Sequence, residues 1–350
     1  MAVAPTPLRP RRTPGVTLAE AADLLGVRCP EHARAVTVTG VSLDSRTVLP
    51  GDLYAALPGQ HAHGADFAAA SLTAGAVAVL TDLEGQRRLD ASRALGGTVP
   101  LLVVTDPRRV LGEIAALVYD RPADALQLIG ITGTNGKTTT AYLVESALRA
   151  AGRETGLIGT VETRAGTTVL RSVRTTPEAT DLMAILAVMR EAGVQTVVME
   201  VSSHALAQHR VDGLRYDVAG FTNLSQDHLD FHADMTDYFD AKAALFTPEH
   251  CVRAVVCVDD DWGRRLAARA SVPVTTLRTH DEGTSAQQPG EDELLIVPGP
   301  WPTFDLVGQS LTLTLRSALP GAFNVTNTAL AAGLLPVSYT HLTLPTSDLV

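Results

Sequence analysis

Hydrophobic positions along the chain alternate between strand-like and helix-like spacing, and this alternation predicts an α/β protein. Short apolar runs at residues 126–132, 196–201 and 254–258 are typical of buried strands. Stretches with an apolar stripe, at residues 107–119, 138–151 and 180–192, are typical of helices packed on a sheet. Strands and helices that alternate in this way favour a mainly parallel sheet with helices on its faces.

The order of these elements predicts two domains. Residues 15–120 form a small N-terminal α/β domain whose first helix opens with the capping-box spacing of Thr17 and Glu20. The polar, proline-containing residues 120–124 predict a linker, and residues 125–335 predict a central domain. We expect residues 1–14, which are rich in arginine and proline without an apolar segment, to be a disordered tail and not a signal peptide.

Composition excludes several classes of protein. The formal net charge of -10 leaves no basic surface for a nucleic acid. Three scattered cysteines do not form a disulfide framework and indicate a reducing compartment. The most apolar stretch, residues 68–80, is shorter than the roughly 20 residues that cross a bilayer. We therefore expect a cytoplasmic protein with no membrane span, and we expect it to be a monomer.

Lysine is rare in this chain. Only Lys137 and Lys242 are lysines among 28 basic residues, and all the others are arginines. Arginine does not replace a compact, titratable ammonium group. The two lysines are therefore candidates for roles that depend on lysine chemistry.

A glycine-rich loop lies between an apolar strand and a helix at residues 133–140, with the sequence GTNGKTTT. Such a loop turns backbone N–H groups toward an anion, and the start of the following helix favours negative charge. Lys137 is expected to bridge phosphate oxygens and Thr138 to bind Mg²⁺. The spacing differs from the strict Walker form because Ile131 stands where glycine is usual. The pattern predicts ATP or GTP binding, and a glycine turn without a ligand is the alternative.

Two further segments carry candidate metal ligands. Glu200 ends an apolar strand, where open α/β sheets bind ligands, and it is either a Mg²⁺ ligand or a structural residue. His228 and His232 have the spacing of one helix face, but Leu229 breaks the zinc-protease pattern and no third zinc ligand is evident. Downstream, a neutral Lys242 amine can add CO₂ to form a carbamate, which is an oxygen ligand that arginine cannot provide.

These motifs together resemble the Mur ligase family over residues 41–335. The resemblance is carried by seven ordered motifs, which include the segment from Leu43 to Leu53, the loop at Gly133, Thr175-Thr-Pro177, residues 199–206, residues 222–228, the segment from Tyr238 to Lys242, and Gly321 to Asn324. The family implies a domain that holds a UDP-sugar, a central P-loop ATPase and a third, Rossmann-like domain that admits an amino acid.

The resemblance also implies roles for individual residues. Those expected to contact the uridine nucleotide are Leu43, Ser45, Gln60, His61 and Ala62. Those expected to hold the muramoyl peptide are Thr175, Thr176, Ser202, Gln208 and Arg210. The ATP site is expected to comprise Gly133, Thr134, Asn135, Gly136, Lys137, Thr138, Thr139 and Asn324. The Mg²⁺ ligands are expected to be Thr138, Glu200, His228 and Lys242 as a carbamate, and the catalytic residues Lys137, Lys242 and His228.

The implied activity is an ATP- and Mg²⁺-dependent ligase of peptidoglycan synthesis. It activates the γ-carboxylate of UDP-MurNAc-L-Ala-D-Glu as an acyl phosphate, which a diamino acid, expected to be meso-diaminopimelate, then attacks. The alternatives are an ATP- and UDP-sugar-binding fragment without turnover, or a relative of folylpolyglutamate synthetase. The N-terminal motif that precedes the loop disfavours the latter.

The end of the sequence departs from the family pattern. Residues 336–350, PVSYTHLTLPTSDLV, resemble nothing that the family has at this position. We interpret them as an atypical, non-native tail, with a divergent native tail as the alternative. On this interpretation the third ligase domain is absent, and the 350-residue chain alone is expected to be inactive.

Overall fold

The computed structural model describes residues 7–59, 61–92, 99–280 and 289–338. They divide into two compact units. Unit 1 comprises Met1–Ala125, Pro177–Glu191 and Gln208–Leu214, and unit 2 comprises Leu126–Thr176, Ala192–Ala207 and Arg215–Val350.

Strands and helices alternate through most of the described chain, as the sequence pattern predicts. The strands are β1 Val16–Thr17, β2 Thr37–Val38, β3 Gly40–Ser42, β4 Asp52–Ala56, β5 Ala78–Thr81, β6 Leu101–Val103, β7 Gln127–Thr132, β8 Thr155–Ile158, β9 Glu162–Ala165, β10 Thr168–Arg171, β11 Thr196–Glu200, β12 Val218–Phe221, β13 Ala254–Cys257, β14 Val274–Thr279, β15 Glu293–Pro298, β16 Thr303–Val307 and β17 Thr312–Arg316. The α-helices are α1 Leu18–Leu25, α2 Ala68–Thr73, α3 Leu83–Ser92, α4 Pro107–Val118, α5 Lys137–Ala150, α6 Ala179–Glu191, α7 Ser203–Ala207, α8 Met235–Ala243, α9 Asp261–Arg269 and α10 Ala322–Ser338.

Unit 1 is built on a parallel sheet in the order β3-β4-β5-β6. The predicted capping box is present at the start of α1, where the Thr17 hydroxyl accepts from the Glu20 N–H and the Glu20 carboxylate accepts from the Thr17 N–H. Tyr54, Val79 and Leu89 are buried together in its core. The predicted small α/β domain is therefore confirmed in its fold class.

The N-terminal residues differ from the sequence prediction. Residues 1–14 are predicted to be a disordered tail, but the half-buried Arg9 contacts other residues of unit 1. Its guanidinium donates to the Asp52 carboxylate and the Val41 carbonyl over 3.1 and 3.0 Å, and it also contacts the Tyr119 hydroxyl. A buried carboxylate needs a partner, and that need holds this part of the N-terminal segment in place.

Two segments beyond residue 176 also belong to unit 1, although the sequence analysis included them in the central domain. Helix α6 packs on α4. Gly112 of α4 lies so close to the Asp212 backbone that a Cβ at this position would overlap it. Glycine at position 112 therefore lets residues 208–214 approach the helix.

Unit 2 contains a sheet of eleven strands in the order β10-β9-β8-β11-β7-β12-β13-β14-β15-β16-β17. The seven central strands, from β8 to β15 in this order, are parallel. Antiparallel strands flank them at both edges. The mainly parallel sheet that the sequence predicts is therefore confirmed, with antiparallel edges that it did not predict.

Helices α5 and α10 pack against each other and on the central strands of this sheet. Ile129 and Val198 from the strands, Val144 from α5 and Leu330 from α10 are buried in one core. No helix within the described ranges is both long and apolar enough to cross a membrane. The predicted atypical tail comprises residues 336–350. Residues 336–338 belong to the end of α10, and residues 339–350 lie outside the described residues.

Candidate active site

The glycine loop of unit 2 joins the end of β7 to the start of α5. Gly133 and Gly136 have φ angles of 140° and 90°, which side-chain-bearing residues rarely adopt. No side chain caps the start of α5, where Lys137, Thr138 and Thr139 form the first turn. The free N–H groups of this turn are suited to an anion such as a phosphate.

Asn223 forms hydrogen bonds with the glycine loop through both its backbone and its side chain. Its backbone carbonyl accepts from the Thr134 N–H over 2.8 Å, and its side-chain oxygen accepts from the Asn135 N–H over 3.1 Å. The Asn223 amide also donates to the Asn135 carbonyl over 3.1 Å. Asn223, which no sequence signal singled out, follows β12, the neighbour of β7 in the sheet.

The two lysines of the chain lie together at this loop. Lys137 donates to the carbonyls of Gly133 and Thr134 over 2.9 and 2.8 Å, and Lys242 of α8 donates to the Gly133 carbonyl over 2.8 Å. Lys242 is only 1% exposed. Burial, reinforced by the Lys137 charge, holds the pKa of Lys242 well below the ordinary value of a lysine. Burial also lowers the pKa of Lys137.

Tyr238 connects Lys242 to the loop. The Lys242 amine lies 4.7 Å from the centroid of the buried Tyr238 ring. The Tyr238 hydroxyl lies 3.1 Å from the Thr134 hydroxyl. Burial raises the pKa of Tyr238, so the phenol remains protonated and polar at neutral pH. The spacing of four residues on one helix explains why Tyr238 and Lys242 meet.

Thr138 and Glu200 meet at the carboxyl ends of β7 and β11. The Thr138 hydroxyl donates to the Glu200 carboxylate over 2.9 Å, and Glu200 is 1% exposed. A hydroxyl and a carboxylate side by side are the hard oxygen donors that Mg²⁺ prefers, so these two residues fit the predicted ion. Within the described ranges, no three His, Cys, Asp or Glu side chains are close enough to hold a metal ion.

Gly159 and Thr160 also lie against the Glu200 carboxylate, although no sequence signal singled them out. The Thr160 N–H and hydroxyl donate to the two Glu200 oxygens over 2.7 and 3.1 Å. A Cβ on Gly159 would overlap the same carboxylate. Both residues follow β8, which pairs with β11. Ligands of open α/β sheets bind at the carboxyl ends of the strands, so a prediction of β8 would have indicated both residues.

His228 belongs to a group of aromatic rings. Its ring lies 4.9 Å from that of His204, which lies 4.2 Å from the Phe231 ring and 5.8 Å from the His232 ring. Residues 228–232 form a turn, and His228 has a φ of 53°. The helix face on which His228 and His232 were expected is therefore absent in this segment of the described chain. The assignment of His228 to Mg²⁺ stays a prediction.

Asn324, at the start of α10, approaches the glycine loop through Asn327. The Asn324 side chain donates to the Pro320 carbonyl over 2.7 Å and accepts from the Asn327 amide over 3.3 Å. A Cβ on Gly136 would overlap the Asn327 side-chain oxygen. The structure thus brings the predicted nucleotide contact to the same edge of unit 2 as the loop.

Three residues predicted to hold the muramoyl peptide lie beside Glu200 in unit 2. The Thr176 hydroxyl donates to the Glu200 carbonyl over 2.9 Å and accepts from the Ser202 N–H over 3.1 Å. The Thr175 hydroxyl lies 3.1 Å from the Thr160 hydroxyl. Thr175, Thr176 and Ser202 therefore belong to the same hydrogen-bonded region as Thr138.

Four of the five residues predicted to contact the uridine nucleotide lie at one edge of the unit 1 sheet. Leu43 and Ser45 follow β3, and His61 and Ala62 lie in a turn after β4, in which the Gly59 N–H donates to the Ala62 carbonyl. Because β3 and β4 are parallel neighbours, their carboxyl ends lie together. Gln60 lies outside the described residues.

Gln208 and Arg210 lie in the 208–214 segment of unit 1. The Arg210 guanidinium donates to the Gln208 side chain over 2.6 Å and pairs with Glu178 over 3.0 Å. Arg108 pairs with the other Glu178 oxygen over 3.2 Å. Glu178, which the sequence analysis did not select, therefore joins two arginines in a buried position.

Two protein-family models match the chain. The Mur ligase middle domain matches residues 131–335, and the catalytic domain of the Mur ligase family matches residues 37–119.

Curated relatives match most of the chain. The UDP-N-acetylmuramoyl-L-alanyl-D-glutamate--2,6-diaminopimelate ligase of Streptomyces coelicolor is 51% identical over 95% of this chain and 65% of its own length. The UDP-N-acetylmuramyl-tripeptide synthetase of Leifsonia xyli subsp. xyli is 44% identical over 95% of this chain and 63% of its own length. The chain therefore spans just under two thirds of the length of these relatives.

Solved structures resemble the chain in fold. A UDP-N-acetylmuramoyl-L-alanyl-D-glutamate--2,6-diaminopimelate ligase superposes with a TM-score of 0.73 at 25% identity, over 93% of this chain and 64% of the other. MurF from Acinetobacter baumannii superposes with a TM-score of 0.61 at 20% identity, over 95% of this chain and 65% of the other. The second likeness shows the fold alone.

Proposed function

Because the chain belongs to the Mur ligase family, we propose that it supplies the ATP site and the UDP-sugar site of a ligase that acts on UDP-MurNAc-L-Ala-D-Glu. The amino acid that the ligase adds is meso-diaminopimelate. The names of the relatives from Streptomyces coelicolor and Corynebacterium efficiens, which state 2,6-diaminopimelate without its stereochemistry, support a diaminopimelate.

The observation that carries the proposal is the convergence of Lys137, Lys242, Thr138 and Glu200 around the start of α5. A lone glycine turn does not require two lysine amines, one of them fully buried, on one carbonyl. It also does not require a buried carboxylate beside a hydroxyl in the first turn of the next helix. Together these groups provide a cation, Lys137, for a triphosphate and oxygen ligands for its metal ion.

The reaction that this arrangement supports has two steps. The γ-carboxylate of the D-glutamate residue attacks the γ-phosphate of ATP, which forms an acyl phosphate and releases ADP. The amine of the diamino acid then attacks the acyl carbon, which forms the amide and releases phosphate. The first step brings two anions together, and Lys137 at the start of α5 offsets that charge. Bound Mg²⁺ would supply further neutralisation of the phosphate oxygens.

Each group of site residues has a part in this proposal. Thr138 and Glu200 hold Mg²⁺, with His228 and carbamylated Lys242 as further ligands. Asn324 contacts the nucleotide. Leu43, Ser45, Gln60, His61 and Ala62 contact the uridine nucleotide. The muramoyl peptide is bound by Thr175, Thr176, Ser202, Gln208 and Arg210.

Calorimetric titration of the 350-residue chain tests this function. We expect the non-hydrolysable ATP analogue AMP-PNP to bind more tightly with Mg²⁺ than without it. We also expect UDP-MurNAc-L-Ala-D-Glu to bind more tightly than UDP-N-acetylglucosamine, which lacks the peptide. Steady-state phosphate release with all substrates then distinguishes a complete ligase from a binding protein without turnover. If neither AMP-PNP nor the UDP-peptide binds, the proposed function is wrong.

A further inference from the structure

A chain of hydrogen bonds in unit 2 runs from the glycine-loop helix to a residue that is expected to bind the peptide. Thr138 donates to Glu200 over 2.9 Å, Thr160 donates to Glu200 over 3.1 Å, and the hydroxyls of Thr160 and Thr175 lie 3.1 Å apart. None of the sequence motifs contains Thr160. Its position links the proposed metal side of the site to the proposed substrate side.

The Glu200 carboxylate is held from several directions. It is 1% exposed and accepts from the Thr138 hydroxyl, the Thr160 N–H and the Thr160 hydroxyl. The absence of a side chain at Gly159 leaves room for it. An ionised carboxylate only accepts hydrogen bonds, so both hydroxyl protons are committed to it.

This fixes the direction of the next hydrogen bond. A threonine hydroxyl has one proton, and Thr160 has given its proton to Glu200. The Thr160 oxygen therefore accepts the proton of Thr175. Thr175 is then left with lone pairs and no free proton, so it offers a hydrogen-bond acceptor to whatever lies against it.

We propose that Thr160 is a positioning residue that orients Glu200 and makes Thr175 an acceptor for an amide N–H of the peptide substrate. This inference rests on the proposed function, because it assigns a contact within the UDP-peptide site. A carboxylate or phosphate oxygen of the substrate is disfavoured at Thr175, since two acceptors would face each other. Thr160 thus helps the site to bind an amide group of the ligand at Thr175 in preference to an acidic group.

Substitutions at Thr160 test the inference in the whole chain. Thr160→Val keeps the shape and removes the hydroxyl, whereas Thr160→Ser keeps the hydroxyl. We expect Thr160→Val to weaken UDP-MurNAc-L-Ala-D-Glu binding about tenfold and Thr160→Ser to bind like wild type. Thr163→Val is the matched control, because Thr163 is a buried threonine of the adjacent β9 whose hydroxyl lies 3.4 Å from Ser172. The control should leave binding unchanged.

A double-mutant cycle separates positioning from general destabilisation. If Thr160 acts through Thr175, Thr160→Val/Thr175→Val should bind the UDP-peptide no more weakly than Thr175→Val alone. Additive losses, or a Thr160→Val variant that binds like wild type, would overturn the inference and leave the proposed function intact. Wild-type protein that binds no UDP-peptide would overturn both.

A substrate analogue provides a second test that does not depend on the folding of a Thr160 variant. In a depsipeptide analogue, an ester oxygen replaces an amide N–H, which removes one donor and keeps the shape. We expect one of the two backbone ester analogues to bind wild type about tenfold more weakly than the amide. Thr175→Val should bind that ester and the amide equally. Equal loss in wild type and Thr175→Val would contradict an acceptor role for Thr175.

Discussion

The side-chain amines of Lys137 and Lys242 donate to the same acceptor, the carbonyl oxygen of Gly133, over 2.9 and 2.8 Å. They are the two lysines of the sequence, although they lie 105 positions apart. Two ammonium groups on one oxygen repel each other, which adds to the effect of burial in lowering the pKa of Lys242. A lysine whose amine loses its proton readily has a chemistry that arginine lacks.

We expect Lys242→Arg to abolish ligation in an enzyme that contains this chain. Lys242 is almost fully buried, and arginine neither loses its proton nor forms a carbamate. The measurement is the ligation rate, with the free energy of unfolding in urea as the control for folding. Lys242→Ala is expected to regain part of its rate when formate or bicarbonate is added. Full activity of Lys242→Arg would exclude the carbamate role.

Lys137→Ala should weaken nucleotide binding. The amine now donates to Gly133 and Thr134 and lies within reach of an anion at the start of α5. Loss of a charge-assisted contact with phosphate is expected to raise the dissociation constant for AMP-PNP about tenfold or more, as measured by calorimetry. UDP-peptide affinity serves as the control and should not change. Unaltered nucleotide affinity would count against the assignment of this loop.

Gly136→Ala should damage both stability and nucleotide binding. A Cβ at this position meets the Asn327 side chain, and the φ of 90° is strained for alanine. Gly152→Ala is the matched control, since Gly152 has a φ of 78° with no atom within 4 Å of the added Cβ. The control is expected to lose about 1 kcal/mol of unfolding free energy from the backbone alone. Gly136→Ala should lose more, and equal losses in urea denaturation would contradict the Asn327 contact.

Glu178→Gln should weaken UDP-peptide binding through Arg210. The change leaves Arg108 and Arg210 without their shared carboxylate, so Arg210 is held less firmly. Glu84→Gln is the matched control, because Glu84 also joins two arginines, Arg87 and Arg88, but is exposed. We expect about 2 kcal/mol of destabilisation for Glu178→Gln and little for the control. Identical UDP-peptide affinities for the two variants would remove this role from Glu178.

The stability of unit 1 should depend on pH through Asp52. Burial raises the pKa of this carboxyl, against the opposing effects of Arg9 and the Leu49 N–H. Between the ordinary pKa and the raised one, the folded state binds more protons than the unfolded state, so stability falls as pH rises through this window. Asn does not titrate. The unfolding free energy of wild type relative to Asp52→Asn should therefore increase when pH is lowered from 7 toward about 4.

Urea denaturation at several pH values measures this difference. A constant difference, or one that changes in the opposite direction, would show that Asp52 does not titrate as its burial requires. Comparison with the Asp52→Asn variant removes the contributions of all other carboxylates, which titrate in both proteins.

Sequence reasoning identified the glycine loop and the two lysines because their signals are unusual. The GTNGKTTT segment lies between an apolar strand and a helix, and lysine is otherwise missing from the sequence. The structure places both lysines on Gly133. The parallel sheet was predictable for a similar reason, since fully buried strands such as β11 are continuous apolar runs.

The residues that sequence reasoning did not find are common types brought in by neighbouring strands. Thr160 follows β8, a strand of four residues that includes Gly156 and lacks the alternation that marks a strand. Asn223 lies within the motif at residues 222–228, but its contact with the loop depends on the pairing of β12 with β7. Arg9 was assigned to a tail because local composition does not reveal that Asp52 is buried. Non-local pairing determines all three positions.

Unit 1 is made of three separate stretches of chain, and this has a consequence for its biosynthesis. After Ala125 leaves the ribosome, roughly 90 more residues are translated before Leu214 follows. At about 5–20 residues per second, the nascent protein spends on the order of 5–20 s without the piece that packs against Gly112. During that interval the face of helix α4 around Gly112 lacks residues 208–214. Chaperones therefore have an opportunity to bind this face before that segment is translated.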